Sequence, residues 1–201
     1  KEFIGNLPSV FRKVILLFEE EIEPLIPFFH ERNFEIFVEI TSSEEIDKVK
    51  KMNIEGVILK GNEAGGRVGK DSTFILLQKL SRKSPFPFYV YGGVGLHTCC
   101  GCFVAGAKGV ALDWQIAGVN ESSLPAEIKR LVMKLDGSEP VIIGETIGRL
   151  YQLYFKPGSG LYEKLKEKEK EVSQIRGKRE RIRRWEEIVR EEISANYGDI
   201  L

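Results

Sequence analysis

The residues best equipped for chemistry lie in Lys60-Gly61-Asn62-Glu63-Ala64-Gly65-Gly66-Arg67-Val68-Gly69-Lys70, where four glycines and both signs of charge fall within eleven positions. Without a Cβ to hold them off, glycine amides approach a phosphate or a flat ring closely. The apolar run Val57-Ile58-Leu59 precedes the segment and helix-compatible sequence follows it. Parallel α/β folds bind ligands in such strand, glycine loop, helix units, at the carboxyl ends of strands. The competing reading is that these glycines only make turns. A second glycine pair follows the run Phe88-Tyr89-Val90-Tyr91, in Tyr91-Gly92-Gly93-Val94-Gly95. Gly92 and Gly93 are candidates to offer their amides to a phosphate near a helix start. A third run, Val110-Ala111-Leu112, ends in Asp113-Trp114-Gln115, which would bring a carboxylate and an indole to the same rim.

Each charged side chain here has two readings. Lys60 either steadies negative charge developing on a ligand or is an ordinary solvated lysine. Glu63 either orients Arg67 or caps the next helix, the structural role being the favoured one. Arg67 has five donors and no acceptor, so it cannot be a general base, but it can hold a carboxylate or a thioester oxygen. His97 either donates to an anion or is a satisfied surface histidine. Cys99, Cys100 and Cys102 are too crowded for an ordinary disulfide and have no second ligand cluster for a metal cage. They are read as reduced, buried, inert thiols on a helix facing the sheet.

The elements that must position these residues are read from periodicity. Five short runs, Val14–Phe18, Phe34–Ile40, Val57–Leu59, Phe88–Tyr91 and Val110–Leu112, are rich in β-branched and aromatic residues and alternate with amphipathic stretches. That alternation predicts strand-helix units on a parallel sheet. Thr41-Ser42-Ser43-Glu44-Glu45 predicts a capped helix running to Met52, and Leu96–Ala107 is helix-compatible. Leu124-Pro125-Ala126 opens a short helix to Leu135, ahead of strand-like runs at Val141–Ile143 and Arg149–Phe155. From Leu161, apolar residues Leu161, Leu165, Val172, Ile175, Ile182, Val189 and Ile193 form a narrow helical stripe in charged sequence, as one long helix or a hairpin bent at Gly177. The stripe either docks a partner as a coiled coil or packs on the chain's own fold. The expected fold class is α/β, a partial TIM (β/α) barrel with a charged C-terminal helical extension. Residues 1–118 carry the barrel units, 119–158 an insertion and 159–201 the charged segment. An eight-unit barrel takes about 250 residues, so the other units must come from elsewhere, and an open sheet of fewer strands is the alternative.

In the combination EAGGRVG, YGGVG and AGAKGVALDWQ, the chain resembles the second half of the nitronate monooxygenase (2-nitropropane dioxygenase) and flavin-dependent enoyl reductase family of FMN barrels, over residues 34–116. It also looks like the barrel modules embedded in polyketide or polyunsaturated fatty-acid synthases. The resemblance implies FMN, with NAD(P)H as electron donor and a small-molecule or carrier-bound acyl thioester as substrate. It implies cofactor contacts from Glu63, Gly65, Gly66, Gly92, Gly93 and Asp113, with Arg67 and Lys60 as catalytic side chains. Two positions depart from the pattern. The family usually has histidine at Arg67, which disfavours nitronate oxidation and leaves an enoyl-reductase-like module as the first reading. It usually has Gly-Thr at Asp113-Trp114, and a carboxylate there repels phosphate unless it points away or is paired. The rival function is a catalytically degenerate barrel acting as scaffold or docking module in a multidomain synthase.

Composition narrows the partners. With 201 residues, 42% of them hydrophobic, the chain can bury a substantial core. Thirty basic and thirty acidic side chains cancel, so no net field draws it to nucleic acid or an anionic membrane. The basic cluster Arg176, Lys178, Arg179, Arg181, Arg183 and Arg184 beside Trp185 is offset by flanking glutamates. No apolar run reaches the roughly 20 residues of a membrane span. A cytoplasmic protein is expected, its partners being other domains of a longer synthase chain, or further copies met through the C-terminal helix. The first and last residues suggest a piece of a longer polypeptide.

Overall fold

The computed structural model describes residues 10–19, 21–137, 139–155, 158 and 160–197. The strands, in chain order, are β1 (Lys13–Leu17), β2 (Glu35–Ile40), β3 (Gly56–Lys60), β4 (Gly66–Val68), β5 (Phe88–Tyr91), β6 (Gly109–Ala111), β7 (Pro140–Ile143) and β8 (Leu150–Tyr154). The helices are α1 (Ile26–His30), α2 (Ser43–Val49), α3 (Thr73–Leu80), α4 (Cys99–Val104), α5 (Ala126–Val132), α6 (Leu161–Ser173) and α7 (Lys178–Tyr197). Two compact units result, one of residues 1–63 and 69–115, the other of residues 64–68 and 116–201.

In the first unit, five parallel strands pair in the order β1-β2-β3-β5-β6. They coincide with the five runs read from the sequence. Right-handed crossovers between strands laid down in sequential order put every helix on one face, whereas a doubly wound sheet reverses its order to place helices on both. The alternation of side chains agrees. Ile36, Val38 and Ile40 of β2, Val57 and Leu59 of β3, and Phe88 and Val90 of β5 share one buried cluster with Ile26 and Phe29 of α1, Ile46 and Val49 of α2, and Leu76, Leu77 and Leu80 of α3. The residues between them in sequence, Phe37, Glu39, Ile58, Lys60, Tyr89 and Tyr91, occupy the helix-free face. The fold is α/β, a partial (β/α) barrel. On the outer strand β1, Ile15 is 58% exposed while Phe37 and Ile58 of the central strands are buried, the expected difference between an outer and an inner position of an arc.

Local sequence explains the helix limits. The hydroxyl half of the box predicted before α2 is absent, since Ser42 makes no capping bond. The carboxylate half is present, with Thr41 N–H donating to Glu45 Oε2 at 2.6 Å. The helix predicted over Leu96–Ala107 contracts to α4. Gly95 N–H donates to Thr98 Oγ1 at 2.9 Å in a turn before it, and Gly106, at φ +98°, ends it.

In the second unit, β4, β8 and β7 form an antiparallel sheet in that order, with Arg67 opposite Tyr151. Gly177 separates α6 from α7, so the hairpin alternative holds. Leu161, Leu165, Val172 and Val189 of the stripe are buried with Ile143, Phe155 and Trp185, and Ile175, Ile182 and Ile193 pack against them. The stripe is consumed inside the chain's own unit, and Trp185 belongs to that core rather than to the basic cluster.

Glu169 of α6 ties the β7–β8 connection down. Thr146 donates to its Oε1 through N–H at 2.9 Å and Oγ1 at 2.8 Å, and Lys166 Nζ lies 3.2 Å from its Oε2. Burial pushes this carboxyl up, but the bonds from Thr146, Gly144 and Lys166 outweigh burial and hold it below its ordinary 4.5. A carboxyl that is a stronger acid folded than unfolded adds stability above the ordinary value and loses it as pH falls through the folded one. Denaturant unfolding between pH 7 and pH 3 is therefore expected to show stability falling below about pH 4.5. The fall should be shallower in Glu169→Gln, and an equal slope in the variant would refute the assignment.

Candidate functional site

The side chains at the carboxyl ends of the parallel strands form a charged row on the helix-free face. Lys60, last residue of β3, lies opposite Tyr91, last residue of β5, and Tyr91 lies opposite Ala111. Lys60 Nζ is 3.0 Å from Glu39 Oε1, and both side chains are over nine-tenths buried. Charges removed from water this far must be paired, which explains why the buried Glu39 of β2 faces the one cation of β3. The same ammonium sits over the Tyr91 ring, 5.4 Å from its centroid, at cation–π range. The Asp113 carboxylate acts on the Tyr91 phenol. Burial, then the charge and hydrogen bond of Asp113, then the charge of Glu39, push the phenol up to about 12.

Glu63 caps α3, the role favoured for it above. Its Oε2 accepts from Thr73 N–H at 2.8 Å and lies 2.9 Å from Thr73 Oγ1. That hydroxyl is also 2.7 Å from the Gly92 carbonyl, and Gly61 N–H donates to Tyr91 O at 2.9 Å. The end of β3, the start of α3 and the end of β5 are thereby tied together. A Cβ on Gly61 would fall on the Thr73 backbone and hydroxyl, so this crossing requires glycine.

Gly92 and Gly93 have φ of +108° and +58°, consecutive positive values at the end of β5. Such a glycine pair leaves the turn free of side chains, with Gly93 exposed and Gly92 buried. A Cβ on Gly93 would meet the Glu63 side chain at 3.1 Å, so little but glycine fits. Two nearby carboxylates are engaged, Glu39 by Lys60 and Glu63 by the first turn of α3. The glycine pair at the end of β5 suits the close approach of a phosphate such as that of a flavin mononucleotide.

Gly65, Gly66 and Arg67 sit differently. Arg67 is the middle residue of β4 and belongs to the second unit, whereas Lys60 belongs to the first. Its charge acts on the Tyr151 hydroxyl, as does that of Arg149. A Cβ on Gly65 or Gly66 would meet nothing within 4 Å, so neither glycine is required by packing. The segment read as one ligand loop is thus a capping residue, Glu63, followed by an edge strand. Asp113 follows β6, while the Trp114 indole lies outside the described residues. His97 is exposed. Of the cysteines only Cys102 is buried, Cys100 is exposed and all three are free, which corrects the picture of three buried thiols. Cys102 is the inert one, its thiol pushed up by burial and then by Cys99.

Glu39, Thr73 and Tyr91 are the site residues that sequence reasoning passed over. A signal existed for one of them. Glu39, opposite in charge to Lys60, is flanked by apolar residues near the end of the preceding strand, a pattern that calls for a buried pair. Tyr91 was legible only as a strand aromatic.

No protein-family model matches the chain, and no curated protein does. Solved structures do. The chain is similar to FabK from Thermotoga maritima with a TM-score of 0.68 at 21% identity, over 80% of this chain and 53% of that one. A point mutant of the same protein gives 0.67 at 22%, over 78% and 51%. The fold is shared. Nitroalkane oxidase from Streptomyces ansochromogenes gives 0.59 at 19%, over 72% and 45%. The chain spans about half the length of these structures. Among the described residues, no helix is long and apolar enough to cross a membrane.

Proposed function

We propose that the chain is part of an FMN-dependent oxidoreductase of the enoyl-reductase or nitronate-monooxygenase type. The observation that carries this reading is the Gly92–Gly93 turn, two consecutive positive φ values at the carboxyl end of a barrel strand, in a fold shared with FabK and with a nitroalkane oxidase. The motifs EAGGRVG and YGGVG support it. FMN, when bound, supplies the hydride acceptor and donor. The chain's own residues bind and orient. The Gly92 and Gly93 amides hold the phosphate, Glu63 and Thr73 fix the turn that presents them, and Asp113 borders it. Lys60, with one N–H on Glu39, has others to offer to a ligand oxygen. Arg67, without an acceptor, moves no proton. The enoyl-reductase-like branch is favoured for that reason, with an acyl thioester as substrate, NAD(P)H as electron donor and the remaining domains of a synthase-type protein as partners.

A second reading is supported by the placement of Arg67 in an edge strand of the second unit: a non-catalytic barrel serving as scaffold in a multidomain protein. Titration separates the two. Wild-type chain is expected to quench flavin fluorescence on addition of FMN and to retain yellow colour on gel filtration. Absence of FMN uptake by the complete parent polypeptide would sink the oxidoreductase reading and leave the scaffold.

A further inference from the structure

The three cysteines take no part in the proposed function, and the fold sorts them. α4 begins at Cys99 and carries Cys100, Gly101 and Cys102 in its first turn. Successive helical residues lie about 100° apart around the axis, so Cys100 and Cys102 point to nearly opposite sides while Cys99 and Cys102 share one. Burial follows that geometry: Cys102 belongs to the core of the first unit, Cys99 is half-buried and packs against the same core, and Cys100 is exposed. The crowding that speaks against a disulfide in the sequence therefore applies to Cys99–Cys100 and Cys100–Cys102, but not to the pair one helical turn apart.

Both sulfurs of that pair lie toward the start of the helix, as side chains on a helix do. Cys99 Sγ donates to the Leu96 carbonyl at 3.0 Å, and Cys102 Sγ points back to the Thr98 carbonyl at 3.8 Å. That carbonyl belongs to the peptide bond joining Thr98 to Cys99, so the buried sulfur lies alongside the backbone of its partner. Helical geometry sets the two Cα atoms about 5 Å apart, inside the range of about 4.4–6.8 Å that a disulfide spans. Gly101, between them, leaves the turn free to tighten. The helix joins β5 to β6, and Cys-x-x-Cys in such a strand-helix-strand unit reads as a redox pair. Among the described residues, no group of three or more His, Cys, Asp or Glu side chains could hold a metal ion.

We propose that Cys99 and Cys102 are a redox-active pair that closes a reversible disulfide within α4 by exchange with a small-molecule disulfide such as oxidised glutathione. The Cys99 thiolate attacks one sulfur of that disulfide, forming a mixed disulfide and releasing a thiol, which takes up the proton Cys99 gave. Cys102 then attacks the Cys99 sulfur, gives up its own proton and expels the second thiol. Two protein thiols are oxidised, one small disulfide is reduced to two thiols, and no other reagent is consumed. Burial shields Cys102 from reagents in solvent, so it is inert by itself and reacts only with a sulfur that Cys99 brings to it. No flavin takes part, and the pair stands whether or not FMN binds.

The test equilibrates the reduced full chain with mixtures of reduced and oxidised glutathione, blocks the remaining thiols with a maleimide and maps the digested chain by mass spectrometry. Wild type is expected to join Cys99 to Cys102 and to leave Cys100 outside the bridge, and dithiothreitol should return all three thiols. Cys100→Ser should form the same bridge. Cys102→Ser should stop with glutathione on Cys99, and Cys99→Ser should leave Cys102 free, circular dichroism showing that each variant is folded. If serine in the core at position 102 unfolds the chain, Cys102→Ala takes its place, and the wild-type map decides without either. A wild type whose Cys102 stays free at every glutathione ratio overturns the pair. So does a bridge that runs through Cys100, or one that closes only in urea.

Discussion

Trp185→Ala is expected to destabilise the second unit by about 3–5 kcal/mol, the range for removing a buried large aromatic. Trp185 is 0% exposed and stands among Ile143, Phe155, Leu161, Leu165 and Val189, so truncation opens a cavity where sheet and both long helices meet. Its Nε1–H donates to the Arg149 carbonyl at 3.0 Å, and losing that part-buried bond costs about 0.5–1.5 kcal/mol. The indole also lies against Gly144, where a Cβ would strike it and the Arg149 carbonyl. Trp185→Phe fills most of the space and forfeits the bond, so an intermediate loss is expected. Denaturant unfolding followed by circular dichroism measures both. A loss under about 1 kcal/mol for alanine would show that the site collapses without a cavity, contrary to this packing.

The second large effect belongs to the buried ion pair of the first unit. Glu39→Gln leaves the Lys60 ammonium buried without its counter-charge, and breaking one side of such a pair costs about 3–5 kcal/mol. Lys60→Met exposes Glu39 to the same penalty. Glu39→Leu with Lys60→Met removes both charges, and the double variant is expected near wild-type stability or above it, since apolar replacements of buried pairs are often neutral or stabilising. The double-mutant cycle should yield a coupling of at least about 2 kcal/mol. It should be insensitive to salt, because counter-ions do not reach a pair this buried. A coupling near zero would mean that the two charges are independently solvated. So costly a pair stands at the carboxyl end of the sheet, with Glu39 in register with the apolar Ile58 and Lys60 over the Tyr91 ring.

Much of the framework was legible because it follows from short-range rules. The five parallel strands lie where β-branched and aromatic runs occur, since a strand buried on both faces must be apolar nearly throughout. The turn between α6 and α7 falls at Gly177, and Glu63 caps a helix as a carboxylate near free N–H groups is apt to do. The edge strand β4 was not legible. Gly66-Arg67-Val68 is too short to show a period, and it is a strand only because Leu150, Tyr151 and Gln152 of β8 pair with it. A glycine-rich loop and an edge strand are indistinguishable until that partner is known.

The sequence by itself determined which stretches become the five parallel strands and the long helices, and where the chain turns between them, because each depends on side-chain periodicity or on a local backbone preference. Only the tertiary structure decided which charges meet. Glu39 with Lys60, Tyr91 with Asp113 and Arg67 with Tyr151 are each brought together by strand register, and register is set by the packing of entire faces rather than by the residues that end up touching.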